Sequence, residues 1–187
     1  MDVNEALPEY KRYTYGDYCS WDDDKRWELI DGVPYAMAAP SRKHQKTSGG
    51  LHNQLYNFLK GKPCEVYAAP FDVRLNADTR DDTVLQPDLL MVCGESKLSD
   101  KSCDGAPDMV IEIMSPSTAM HDKVLKYRWY LKSGVREYWI VDPDSKTVSV
   151  HILKNGEYVT YAYGGGETVP VYVLDGCVIS LSEVFEE

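Results

Sequence analysis

Three apolar, β-branched segments, at residues 66–75, 84–93 and 109–114, constrain the fold of this chain more than any other feature. Each is too short for a typical helix and is bounded by polar turn residues, so each reads as a strand. Longer amphipathic stretches lie on either side. Residues 42–60 follow the helix-start signal Pro40-Ser41 and place Leu51, Leu55, Phe58 and Leu59 on one side. Gly49-Gly50 weakens the middle of this helix, and Gly61-Lys62-Pro63 ends it. Residues 117–133 read as a second helix stopped by Gly134, and residues 138–142 as another buried strand. The expectation is an α/β (α+β) fold with a mixed central sheet flanked by helices.

The two ends of the chain add hairpins. Thr14-Tyr15-Gly16-Asp17 has the form of a capping box, which predicts a short helix through Trp21, with Asp22, Asp23 and Asp24 as a solvated turn after it. Residues 27–30 and 33–37 flank Asp31-Gly32, a strong hairpin signal. Residues 147–153, 158–163, 169–174 and 177–181 alternate as a C-terminal β meander, with turns at Asn155-Gly156, Gly164-Gly165-Gly166 and Asp175-Gly176. At 187 residues, one domain over 14–187 behind a loose N-terminal arm at 1–13 is enough.

Composition excludes several classes. With 43% hydrophobic and 27% charged residues the chain is not a disordered acidic solubiliser, and no apolar run approaches a membrane span. The first residues lack an apolar core of signal-peptide length, so a cytoplasmic protein is the expectation. The five cysteines are odd in number, widely spread and never in a C-x-x-C pair, which fits neither a disulfide framework nor structural zinc. Reduced thiols are the simplest expectation.

A formal charge of −10 argues at first against a nucleic-acid partner. The distribution changes that reading. Residues 42–62 and 121–136 together hold half of the Lys and Arg and carry +9, leaving −19 on the rest. Such asymmetry suits a surface that meets phosphates while the remainder repels them; two amphipathic helices with basic outer faces would give the same count.

Asp88 and Glu112 stand inside apolar strand segments, where an unpartnered carboxylate costs several kcal/mol. A divalent cation resolves this, because Mg²⁺ or Mn²⁺ takes hard oxygen ligands, and the Ile113 carbonyl is placed to be a third. Pairing of Asp88 with a basic helix residue, and of Glu112 with backbone donors, is the other way to satisfy them. The second helix carries Asp122, Lys126 and Tyr130 on roughly one face, with Lys123 close by, so it could deliver an ammonium beside the metal. Two carboxylates, a metal and a lysine are equipment for phosphodiester hydrolysis.

Six ordered motifs carry a family resemblance: Glu28-Leu29-Ile30-Asp31-Gly32, Pro40-Ser41-x-x-His44, Gln86-Pro87-Asp88, Ile111-Glu112-Ile113-x-Ser115-Pro116-Ser117-Thr118, Asp122-x-x-x-Lys126-x-x-x-Tyr130, and Gly134-Val135-x-Glu137-Tyr138-Trp139-Ile140-Val141-Asp142-Pro143. Over residues 14–143 the chain resembles the restriction endonuclease family usually called Uma-two, in the PD-(D/E)XK nuclease superfamily. The resemblance implies a restriction-endonuclease-like core with Asp88 and Glu112 as metal ligands. The superfamily's common lysine position is Met114 here; the family pattern places its lysine in the following helix, at Lys126, with Lys123 as a substitute. It also sets Glu28, His44 and Gln86 at the site's edge, as a ligand or solvent ion pair, a phosphate contact or surface histidine, and a partner of water or a solvent-facing amide. His52, His121 and His151 share no ligand spacing and read as structural or surface residues.

A metal-dependent DNA endonuclease is the leading expectation, with Arg42, Lys43, Lys46 and Lys132 touching DNA and a homodimer suited to cutting both strands. A nuclease-like binding module without turnover is the alternative, and a hydrolase of small phosphoesters a third.

Overall fold

The computed structural model describes residues 11–115 and 122–186, with the side chains of Asp122 and Lys123 outside that description. The capping box forms as expected: Thr14 Oγ1 accepts the Asp17 N–H, and the Asp17 carboxylate accepts the Thr14 N–H, opening α1 (Tyr15–Tyr18). This helix stops short of Trp21, whose ring instead packs edge-on against Tyr13, Tyr18 and Trp27. The hairpin of β1 (Trp27–Ile30) and β2 (Val33–Ala36) turns through Asp31 and Gly32, both with positive φ as a two-residue primed turn requires. A Cβ on Gly32 would lie 2.8 Å from Arg12 Cβ, so glycine also admits the chain passing beside the turn.

Two of the three central segments are corrected by the structure. Residues 66–75 are not one strand but parts of β3 (Cys64–Ala68) and β4 (Asp72–Arg74), and residues 84–93 divide into β5 (Val84–Leu85) and β6 (Leu89–Cys93). Pro70 and Pro87 lie at the breaks, where a residue lacking an N–H cannot continue a ladder, and the chain leaves one sheet for the other. The short β7 (Ser102–Asp104) has no apolar run to announce it and pairs with β4.

The five-stranded sheet has the order β2-β1-β5-β4-β7. The six-stranded sheet runs β11-β10-β9-β8-β6-β3, using β8 (Met109–Ile113), β9 (Glu137–Asp142), β10 (Thr147–Lys154) and β11 (Glu157–Gly164). Only β8 and β9 are parallel within it; of the expected C-terminal meander, β10 and β11 join this sheet beside β9, while its last two strands form a two-stranded sheet of their own. The tail strands at 169–174 and 177–181 shorten to β12 (Thr168–Pro170) and β13 (Val178–Ser180), because residues 171–177 close a turn through the Val171 N–H to Cys177 carbonyl bond.

Alternation along β6, β8 and β9 sends side chains to both faces of the six-stranded sheet. On one face Leu89, Met91, Met109, Ile111, Trp139 and Val141 pack with Leu51, Leu55 and Leu59 of α2 (Arg42–Leu59). On the other, Leu90, Val92, Val110, Tyr138 and Ile140 pack with Trp129 and Tyr130 of α3 (Tyr127–Ser133) and with Ile30, Val73 and Leu85 of the five-stranded sheet. Gly50, expected only as a weak point in α2, permits close packing: its missing Cβ would sit 3.3 Å from Val184 Cα in α4 (Leu181–Val184). Among the described residues no helix is long and apolar enough to cross a membrane.

The expectation of reduced thiols throughout is also corrected. Cys64 and Cys93 form a disulfide across β3 and β6, because the ladder register sets them directly opposite one another. A separation of 29 residues conceals that pairing in the sequence. Cys19, Cys103 and Cys177 remain free.

Candidate active site

The ladder between β6 and β8 sets Leu89 opposite Ile111, so one step further along it Asp88 comes across from Glu112. Both line a cavity of about 430 Å³ together with Glu28, His44, Gln86, Ile113 and Lys126. The cavity opens where β1, the first turn of α2, and the segment after β8 meet.

Each side chain has a local cause for its position. Ser41 caps α2 by accepting the His44 N–H, which fixes the first helical turn. His44 Nε2 then lies 3.1 Å from Asp88 Oδ2, which also accepts the Ile113 N–H at 2.7 Å. Asp88 is thus held by a helix residue and by the strand that carries Glu112. His44 is buried, not a surface histidine.

Lys126 is the hub of the deeper half. Its Nζ lies 2.9 Å from Glu28 Oε1 and 3.0 Å from Glu112 Oε1, and all three side chains are about 95% buried. Glu28, expected either at the metal or in a solvent ion pair, is inside the cavity wall; the Gln86 backbone N–H donates to its Oε1 at 2.8 Å. Tyr130 donates to Glu112 Oε1 at 2.7 Å, and burial, reinforced by the nearby Glu112 and Glu28, holds its phenol far above its usual pKa, so it stays a donor. Residues Asp122–Lys126 form a π-helical turn ahead of α3, an irregularity frequent at functional sites. Lys126 and Tyr130, expected on one helix face, both reach Glu112. The side chain of the substitute Lys123, and residues 116–121 with His121, lie outside the described residues.

The Gln86 side chain is committed to its neighbours. Its Oε1 accepts two N–H bonds from Arg26, at 2.9 and 2.8 Å, while its Nε2 donates to Tyr18 OH and Asp72 Oδ1. Sequence reasoning missed Arg26 and Tyr18, which stand in neither an apolar strand nor a family motif, and Asp72, which lies within the apolar segment 66–75 but was not singled out there. Only the pairing of β1 with β5 brings Arg26, just ahead of β1, beside Gln86, just after β5.

The basic segments do not form one continuous face. Arg42, Lys43 and Lys46 line a separate cleft beside α2, whereas Lys132 belongs to α3 on the other side of the six-stranded sheet and lies over the Trp129 ring. Part of the +9 is neutralised internally: Lys126 by two carboxylates, Lys43 by Asp144, and Arg136 by Asp108. His151, by contrast, sits among Tyr127, Tyr138 and Tyr158, and burial lowers its pKa.

The donor set can be tested against a divalent cation. Asp88, Glu112 and Glu28 put three carboxylates against one lysine in a buried cavity, an arrangement rich in hard oxygen donors and negative in sum. Among the described residues no three His, Cys, Asp or Glu side chains form a ready-made cage. Mg²⁺ does not need one, because it retains several waters and is commonly held by one or two carboxylates.

Known proteins agree with this architecture. The chain is 26% identical over 167 residues to the uncharacterized protein slr1290 of Synechocystis sp., covering 87% of this chain and 86% of that one. Its fold matches the crystal structure of "a putative nuclease belonging to DUF820" from Anabaena variabilis, with a TM-score of 0.71 and 20% identity, over 92% of this chain and 97% of the other. The family model described as "Putative restriction endonuclease" matches residues 8–182, nearly the whole sequence, and the chain belongs to that family, Uma2.

Proposed function

We propose that this protein is a divalent-metal-dependent endonuclease that hydrolyses DNA phosphodiester bonds. The observation that carries the reading is the convergence of Asp88, Glu112 and Lys126 on one cavity, with Glu28 as a third carboxylate. The nuclease descriptions of the family and of the structural relative support the same direction.

Asp88 and Glu112, with the Ile113 carbonyl, would hold Mg²⁺ or Mn²⁺, which when bound polarises a phosphoryl oxygen and acidifies water. His44 and the Ile113 N–H orient the Asp88 carboxylate. Lys126 keeps its ammonium in the cavity because Glu28 and Glu112 bind it there, and it stabilises negative charge as water adds to phosphorus and the ester P–O bond breaks. Gln86 positions Glu28 through its backbone N–H. Arg26 in turn fixes the Gln86 side chain.

Purified protein with plasmid and linear DNA plus Mg²⁺ or Mn²⁺ should cut, and Asp88→Asn and Glu112→Gln should each lose at least 100-fold in rate. Equal activity in both variants refutes the assignment. A second reading, a nuclease-like binding module without turnover, is favoured by the way Asp88, Glu28 and Glu112 already have partners within the chain. Calorimetry separates the two: no heat from near-millimolar Mn²⁺ supports the module.

A further inference from the structure

The outer edges of the two large sheets are not alike. β2 carries Pro34, which has no N–H to offer. β7 is three residues long, and β3 is five, with the exposed charge of Glu65 in its ladder. β11 runs eight residues along the edge of the six-stranded sheet, and Tyr158-Val159-Thr160-Tyr161-Ala162-Tyr163 within it holds neither a charge nor a proline. Natural sheets blunt an edge of this kind with a lysine, a proline, a bulge or a shorter strand, and the register of β11 with β10 is unbroken by any bulge.

The hairpin decides which backbone groups face outward. Lys154 and Glu157 close a two-residue turn, so they exchange both of their bonds, and every second pair along the ladder does the same. Leu153 and Tyr158, the next pair, are not bonded to each other: the Leu153 N–H turns the other way, to the Arg136 carbonyl. Tyr158, Thr160 and Ala162 therefore direct their N–H and C=O groups away from β10, and among the described residues no backbone group meets them there. Apolar surface accompanies this edge. Val159 and Tyr172 are 40% and 42% exposed, and Tyr161, on the same strand face as Val159, stacks on the Tyr172 ring at 5.4 Å.

We infer that β11 is a docking edge for a second copy of this chain, the two β11 strands pairing antiparallel about a two-fold axis at Thr160. In that register Thr160 faces Thr160 of the second copy and Tyr158 faces its Ala162, so each outward N–H meets an outward carbonyl. Val159 falls opposite Tyr161 of the second copy, which covers an exposed aliphatic side chain with a ring, and Glu157 falls opposite Tyr163 instead of another carboxylate. This self-matching of backbone, apolar and charged groups favours a second copy over an unrelated extended segment. A two-fold contact also consumes both edges, so it closes at two copies. No residue of β11 lines the Asp88 cavity, and the inference does not depend on the endonuclease reading.

Sedimentation velocity of the full chain from about 1 to about 200 μM should show a monomer passing to a dimer, since one strand edge makes a contact at the small end of specific interfaces. Thr160→Lys sets two ammonium groups against each other on the axis and should weaken the dimer about 10-fold or more, and Thr160→Glu should do the same with two carboxylates. An equimolar mixture of these variants sets opposite charges face to face and should recover the dimer, which misfolded chains could not do. The Thr160 hydroxyl also bonds His151 Nδ1, so a thermal melt accompanies each variant. Glu65→Lys, on the opposite edge of the same sheet, should leave association unchanged. A wild type that stays monomeric over the whole range overturns the inference, as does a dimer indifferent to Thr160→Lys, a mixture that fails to recover it, or an equal loss in Glu65→Lys.

Discussion

Replacing Lys126 by methionine tests the hub of the site most directly. The substitution keeps the length and most of the volume of the side chain while removing its ammonium. Glu28 and Glu112 then lose the cation that sits 2.9 and 3.0 Å from their oxygens, at positions where each side chain is only 5% exposed. The Gln86 N–H still donates to Glu28 and the Tyr130 hydroxyl to Glu112, but both carboxylates lose the Lys126 ammonium. Breaking a buried pair from one side costs about 3–5 kcal/mol. For a chain of this size that corresponds to a fall in melting temperature of roughly 6–20 °C. Urea unfolding at neutral pH measures it. Adding Glu28→Gln removes one of the stranded charges and should recover a substantial part of the loss, which a double-mutant cycle would register as coupling. A Lys126→Met protein within about 1 kcal/mol of wild type would mean that the lysine behaves like a surface ion pair, and the buried clamp would have to be abandoned.

Other expectations are independent of catalysis. Burial lowers the His151 pKa, so below about pH 6.5 the unfolded chain takes up a proton that the folded one refuses. Stability should then fall with decreasing pH by up to about 1.4 kcal/mol per unit, and His151→Phe should flatten that limb of a pH series of urea melts; an unchanged slope counts against it. Burial pushes the thiols of Cys103 and Cys177 up to about 11, and Cys19 is exposed. Alkylation followed by mass spectrometry should therefore mark Cys19 first, with Cys64 and Cys93 protected until a reductant is added. Gly32→Ala must hold a φ of 74° and press a methyl group against Arg12 and Tyr13, at a cost of about 1–3 kcal/mol; thermal melting as stable as wild type would show that the turn relaxes.

Wherever the signal was local, the sequence was a sufficient guide. The Thr14 capping box, the Asp31-Gly32 turn, the Ser41 start of α2 and the Gly134 stop of α3 depend on a few adjacent residues, and each stands where it was expected. The conflict of a carboxylate in an apolar strand drew attention to Asp88 and Glu112, and the four-residue spacing of Lys126 and Tyr130 put both on one face of their helix. Strand lengths around Pro70 and Pro87 were misread because apolar content continues across a proline while the ladder does not.

The first feature, three apolar segments between two amphipathic stretches, by itself determined that a mixed sheet would carry helices, since apolar strands must be covered. It could not determine which strands are neighbours. Register between β6 and β8 sets Asp88 beside Glu112, register between β3 and β6 joins Cys64 to Cys93, and pairing of β1 with β5 brings Glu28 and Arg26 to Gln86. The same topology puts the two basic segments on opposite faces of the six-stranded sheet, dividing a charge total that the sequence could only add together. Local propensity acts over a turn or two, whereas register is fixed by contacts between residues far apart in the chain, and the chemistry of this site is a property of register.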